Sequence, residues 1–144
     1  MLFDLSSLFA CGFLLTASPL MIDWLYDARY AGAGNTIAIL SLSLFTLRFT
    51  LAHQLWLALG LTRYVAMDNI IRVVSLFVLL PVLMAIGGVT YAIWGVALHT
   101  YFTLFLIFKV NHQLGLLDLK RELVVLPALL IGVLFGEMIT RLFA

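Results

Sequence analysis

Charge is what this chain has least of. Charged residues fill 10% of its 144 positions, against about 25% in an ordinary soluble domain. The 7 acidic and 8 basic side chains nearly cancel, leaving a net charge of +1. Such a balance lacks the basic footprint that nucleic-acid binding requires, so no nucleic-acid partner is expected. The lone cysteine, Cys11, excludes a disulfide framework and a thiolate metal cluster. No G-x-x-x-x-G-K-[ST], G-x-G-x-x-G, H-E-x-x-H or G-x-S-x-G occurs, so the common soluble catalytic signatures are missing. No enzymatic activity or catalytic residue is expected. Residues 1–9 carry Asp4 and no Lys or Arg, so the basic start of a cleavable signal is also lacking.

What is present is apolar. Hydrophobic residues make up 65% of the chain, where soluble domains average roughly 45–50%, and the mean hydropathy is +1.17. A soluble domain of this size could not bury that much apolar surface. The fold class expected is therefore all-α integral membrane, a single region of about five transmembrane helices, since a crossing helix needs about 20 apolar residues. Gaps between charges place the spans at about 5–22, 31–61, 64–86, 89–108 and 123–139. The segments are long and continuous and lack period-2 alternation, which disfavours a barrel. Gly87-Gly88 reads as the stop between the third and fourth spans, and 109–122 as a polar connection. Pro19, Pro81 and Pro127 each interrupt a span.

Lys and Arg placement sets the orientation. Arg63, Arg72, Lys109, Lys120 and Arg121 gather on one side, and Arg29 and Arg141 on the other. The N-terminus then reads as cytoplasmic and the C-terminus as external. Trp24, Tyr26 and Tyr30 suit the external headgroup region.

Few polar groups interrupt the spans, and each is a candidate. Arg48 sits near the middle of the second span, with no acidic residue within four positions. A charge at the bilayer centre costs at least about 2.5–3.5 kcal/mol on insertion scales, so Arg48 needs a partner, a cavity or water. It reads either as lining a hydrated substrate path, where its guanidinium grips phosphate bidentately, or as a structural partner of a carboxylate on another helix. Ser41, seven positions earlier, shares its face and is a second path candidate. Thr36, Ser43, Thr50 and Gln54 form another stripe, read mainly as helix-to-helix glue. Asp68 and Arg72 stand at i,i+4, which reads first as a structural helix pair. Glu137 and Arg141 share that spacing near the last span's end.

His53 and His99 raise the question of haem, which uses histidines on separate helices. On this span plan they lie about 25 Å and about 15 Å below the external face, which disfavours one bridging haem. A hydrogen-bonded role in helix packing is expected instead, and no cofactor or metal. Gly132-x-x-x-Gly136 has the spacing that lets helix backbones approach closely, with no indication of the partner helix.

Three segments resemble a known family. Ser18-Pro19-Leu20-Met21-Ile22-Asp23-Trp24-Leu25-Tyr26-Asp27-Ala28-Arg29-Tyr30-Ala31-Gly32-Ala33 resembles the place in bacterial polysaccharide flippases where one span ends and an external turn opens the next. Leu57-Ala58-Leu59-Gly60-Leu61-Thr62-Arg63 looks like that family's exit from the following span. Ile86-Gly87-Gly88-Val89-Thr90-Tyr91-Ala92-Ile93-Trp94-Gly95-Val96-Ala97 is similar to its glycine hairpin. The matches fall in the family's order and cover roughly the first two-thirds of the chain.

The resemblance implies part of the C-terminal lobe of a flippase in the multidrug/oligosaccharidyl-lipid/polysaccharide exporter superfamily, whose members have twelve to fourteen helices. Such a protein moves a polyprenyl-diphosphate-linked oligosaccharide across the bacterial cytoplasmic membrane for polysaccharide biosynthesis. The partners implied are that anionic lipid-linked substrate, membrane lipid, and a missing N-terminal lobe or another membrane chain. No family functional residue carries over. Two other readings stand beside this one: a small structural membrane subunit, and a multidrug or cation antiporter fragment, which would favour intramembrane carboxylates over Arg48.

Overall fold

A computed structural model describes residues 2–47, 49–115 and 123–143. Among the described residues the chain is helical and contains no strand. Three helical segments are long and apolar enough to cross a membrane: Leu2–Leu25, Thr62–Gln113 and Leu123–Phe143. Large apolar side chains stand on the outside, with Phe77 74% and Phe105 78% exposed. Exposed apolar surface on that scale marks an interaction with membrane or partner rather than with water.

The helices fall into two units. The first, Met1–Phe45 with Lys120–Ala144, is built on α1 (Leu2–Leu25), α2 (Ala31–Ser41) and α7 (Pro127–Phe143). Helices α1 and α7 run parallel at very close range. A Cβ on Gly12 would fall on the Leu129 carbonyl, one on Gly132 would fall on the Phe9 carbonyl, and one on Gly136 would fall on the Thr16 hydroxyl. The small-residue spacing on α7 thus meets a glycine on α1, and the main chains touch. Phe9, Phe13 and Phe135 cluster beside this seam, with ring centroids 6.0–6.3 Å apart. Trp24 meets Phe143 edge-on at 5.0 Å at its far end, and Leu8, Val125 and Ala128 close its near end.

Helix α2 packs antiparallel on α1. The Ser18 hydroxyl donates to the Gly34 carbonyl at 3.0 Å, and a Cβ on Gly34 would meet the Pro19 backbone. Pro19 and Pro81 lie inside helices without ending them. Pro127 does interrupt its span: residues 123–125 are helical, the chain turns at Leu126, and the proline opens α7. The first helical position suits proline, whose missing N–H has no partner there in any case.

The second unit, Thr46–Leu119, contains α4 (Thr50–Ala58), α5 (Thr62–Leu98) and α6 (Phe102–Gln113). Helix α5 is two arms rather than one rod. Gly87 and Gly88 leave helical geometry, Gly88 at φ 71° and ψ −154°, a region open to glycine alone at low cost. The arms fold back antiparallel, so the Ser75 hydroxyl lies 3.0 Å from the His99 carbonyl and Gly95 sits against Leu79 and Leu83. Residues 62–86 and 89–113 each extend about 37 Å if helical throughout, more than the hydrocarbon core requires. The expected break at Gly87-Gly88 is where the chain turns.

One expected span is divided, and two helices run past the expected ends of theirs. The second span, 31–61, is not one helix: it is divided among α2, α3 (Ser43–Leu47) and α4. The amides of Leu42, Phe45 and Phe49 bond three residues back, which tightens the turns. Ser41 and Ser43 hydroxyls each donate 2.7 Å to the carbonyl three residues earlier, and such back-bonding bends helices. Helix α6 continues to Gln113, past the expected end of the fourth span at Lys109. The fifth, expected at 123–139, runs on to Phe143.

The α1–α7 seam gives a direct test. Gly132→Leu should cost about 1–3 kcal/mol or more, because a side chain there must separate two backbones. Gly32→Ala, where a Cβ meets open space, should not destabilise. Unfolding of the purified protein by titrated SDS, read by circular dichroism, checks both.

Candidate functional site

The polar side chains of the second unit converge because of one turn. Gly60 takes φ 70°, which ends α4 with the Leu61 amide donating to the Trp56 carbonyl (2.8 Å) and the Gly60 amide to the Leu57 carbonyl (3.0 Å). This double bond pattern is a Schellman cap. It folds α4 back along the start of α5, so residues equidistant from the turn face each other.

His53 and Asp68 are such a pair. Asp68 is fully buried, at 0% exposure. The His53 Nδ1 donates to its Oδ2 at 3.1 Å, and Arg72 Nε, one helical turn on, lies 2.9 Å from the same oxygen. Arg72 Nε nevertheless makes no aligned hydrogen bond, and Asp68 Oδ1 has no partner. The carboxylate is therefore neutralised in charge but not saturated in hydrogen bonds. Buried polar atoms are normally paired, so an idle carboxylate oxygen is spare capacity to accept a donor.

The chain of contacts continues through α4. The His53 ring lies nearly parallel to that of Trp56, with centroids 6.4 Å apart. Trp56 is fully buried, packs against Tyr64 at 6.2 Å, and donates from Nε1 to Asn111 Oδ1 on α6 at 3.1 Å. Three helices are thus linked in sequence: Arg72 and Asp68 on α5, His53 and Trp56 on α4, Asn111 on α6. A second link joins the Thr46 and Thr100 hydroxyls at 3.0 Å.

The other candidates sit as follows. Arg48 lies outside the described residues. Ser41 is buried at the α1–α2 contact, where its hydroxyl donates to the Ala38 carbonyl (2.7 Å) and reaches the Cys11 carbonyl of α1 (3.4 Å). Thr36 bonds back onto its own helix and Ser43 onto the Leu40 carbonyl at the end of α2, although both residues were expected chiefly to bond across helices. His99 donates from Nδ1 to the Val96 carbonyl at 2.7 Å. Glu137 and Arg141 are 3.8 Å apart and well exposed. Among the described residues, no three His, Cys, Asp or Glu side chains gather as metal ligands. An open cleft of about 290 Å³ lies along α1 and α7, lined by Leu20, Met21, Trp24, Leu25, Ile139 and Phe143. Its lining is almost wholly apolar, the Trp24 indole N–H apart, so it offers little to orient a polar ligand.

The i,i+4 spacing revealed the Asp68–Arg72 pair. It could not reveal His53 or the Trp56–Asn111 bond, which depend on the turn at Gly60 and on α6 continuing past Lys109. Reflection of positions about Gly60 was the one signal that could have found His53. In comparisons with known proteins, no family model, curated protein or solved structure matches the chain.

Removing the carboxylate strands one donor, His53 Nδ1, and one cation, Arg72. Asp68→Leu should destabilise toward the lower end of ~3–5 kcal/mol, because Arg72, about one-third exposed, can turn to solvent. Glu137→Leu should stay within about 0.5 kcal/mol, as exposed pairs contribute little. The same SDS unfolding curves compare them.

Proposed function

We propose that this chain forms part of the C-terminal lobe of a bacterial flippase that translocates a polyprenyl-diphosphate-linked oligosaccharide across the cytoplasmic membrane for polysaccharide biosynthesis. One observation supports this reading above others. Each of the three segments that resemble the family coincides with a change of helix: the Ala28–Tyr30 turn between α1 and α2, the Gly60 cap, and the Gly87-Gly88 reversal. Helix directions within each unit are also those of alternate crossings. In the first unit α1 and α7 are parallel and α2 opposes them. In the second, α4 opposes the first arm of α5, as does the returning arm.

On this reading the substrate presents an anionic diphosphate to a cation held inside the membrane, and Arg48 is the cation proposed for it. The remaining partners are membrane lipid and an N-terminal lobe or another membrane chain. The reading as a small structural subunit draws on the exposed apolar surface and on the lack of polar groups in the α1–α7 cleft.

Translocation of a fluorescent polyprenyl-diphosphate oligosaccharide in proteoliposomes separates these readings. Transport should require a second lobe, supplied on the same chain or as a co-purified partner. Transport by the chain alone would refute the partial-lobe reading, and none under either arrangement would leave the structural subunit. In the active arrangement, Arg48→Ala should lower the rate about tenfold or more, the worth of one charge-assisted hydrogen bond. Arg48→Lys should recover only part, because an ammonium lacks the bidentate fork.

Orientation is tested separately. Single cysteines at Tyr26 and Gln113, in a Cys11→Ser background, are exposed to an impermeant thiol reagent in intact cells. Labelling at 26 and not at 113 is expected, and the reverse would invert the topology.

A further inference from the structure

We infer that the side of α4 and α5 turned away from α6 is an interface with a second copy of this chain, closed by reciprocal Gln54–Asn69 amide pairs. This goes beyond the transport reading and does not rest on it, since it follows from the α4–α5 hairpin alone.

Two carboxamides stand exposed where the surrounding surface is apolar. Gln54 on α4 and Asn69 on α5 are both exposed, and among the described residues neither has a hydrogen-bond partner. Centred on a hydrocarbon core about 30 Å thick, the 62–86 arm puts Asn69 about 7 Å inside it. Lipid chains offer an amide no donor or acceptor, so an amide held there calls for a polar group from another helix. The neighbours are apolar. Leu57, Val73 and Phe77 are exposed, and Asn69, Ile70, Val73 and Val74 line a shallow groove of about 240 Å³.

The hairpin decides where that polar group comes from. His53 and Asp68 face each other at 3.1 Å, so they lie at one height on antiparallel helices. One residue onward is 100° round each helix, and on an antiparallel pair the two rotations lead to the same side. Gln54 and Asn69 therefore share one side of the hairpin, separated in height by about 3 Å. Trp56 points nearly opposite to Gln54 and meets Asn111 of α6, so the amide side is the one away from α6. Charge selects no other occupant, because the Arg72 guanidinium is answered by Asp68 and the two amides are neutral.

A second copy inserted in the same direction carries both amides at the same depth. A two-fold axis along the membrane normal, in front of the hairpin, sets α4 of one copy against α5 of the other. Gln54 then meets Asn69 of the other copy, and the pair is repeated across the axis, as an isologous interface requires. Each carboxamide holds both donors and an acceptor, so each crossed pair makes two N–H···O bonds.

The full chain, carrying donor or acceptor dye on a single Gln113→Cys in a Cys11→Ser background, is reconstituted in phosphatidylcholine vesicles. Energy transfer is then followed as lipid is added. A dimer that dissociates on dilution is expected. Gln54→Leu and Asn69→Leu should each lower the association constant about tenfold, the worth of the lost interhelical bonds. The decisive arm mixes donor-labelled Gln54→Leu with acceptor-labelled Asn69→Leu. Their mixed dimer keeps one amide pair intact and makes the other wholly apolar, so it should associate more tightly than either variant with itself. Recovery in the mixture also shows that both variants fold. A parent chain that stays monomeric at every dilution, variants that associate as the parent does, or a mixture no tighter than its components would each overturn the interface.

Discussion

Where α1 and α7 meet, main chain lies against main chain, and the first unit depends on that contact. In an apolar surrounding, helices gain little by hiding apolar side chains from their environment, because the environment is equally apolar. What remains is dispersion, which needs atoms within about 3.5–4.0 Å. Gly12, Gly132 and Gly136 supply that closeness by having nothing to put between the helices. The aromatic rings beside the seam then fill the space that two cylinders leave on either side of their line of contact.

The second unit meets the same difficulty by other means. Gly60 caps α4 and Gly88 reverses α5, while Gly95 sits against Leu79 and Leu83 where the two arms meet. Helix adhesion there falls to hydroxyl, indole, amide and carboxylate groups that bond across helices. Each bond satisfies a group that would otherwise be buried alone, at a cost of ~1–3 kcal/mol in proteins. The two units thus use the two means of association open to helices in an apolar medium, small residues in one and polar links in the other.

What the sequence could disclose follows from the range of each interaction. Composition identified helices, and the Gly87-Gly88 pair marked a reversal, because both are local. Gly132-x-x-x-Gly136 announced a close approach but not to what, since Gly12 lies far away in sequence. Asp68 and Arg72 were legible as neighbours on one helix, whereas His53 required knowing that Gly60 folds α4 back. The span at 31–61 misled because hydropathy averages over residues. It registers the apolar run and not the serine hydroxyls that bend it at Ser41 and Ser43. Beyond Lys109 hydropathy has nothing to register, yet α6 continues there and carries Asn111 to Trp56.

The buried trio also bears on specificity. Taking a carboxylate out of water costs several kcal/mol, and an apolar trio of similar volume would often be as stable or more so. Stability alone therefore does not explain why Asp68 is at 0% exposure. Register does. The apolar faces of α4, α5 and α6 are rich in Leu, Ile, Val and Phe, and would slide past one another by a turn with modest change in contact. His53, Asp68, Trp56 and Asn111 cannot: a shift of one turn, about 5.4 Å, breaks the bonds among them and leaves the buried Asp68 and Trp56 without their partners. The polar chain makes one alignment of the three helices much better than its neighbours, as a single buried polar residue does in a coiled coil.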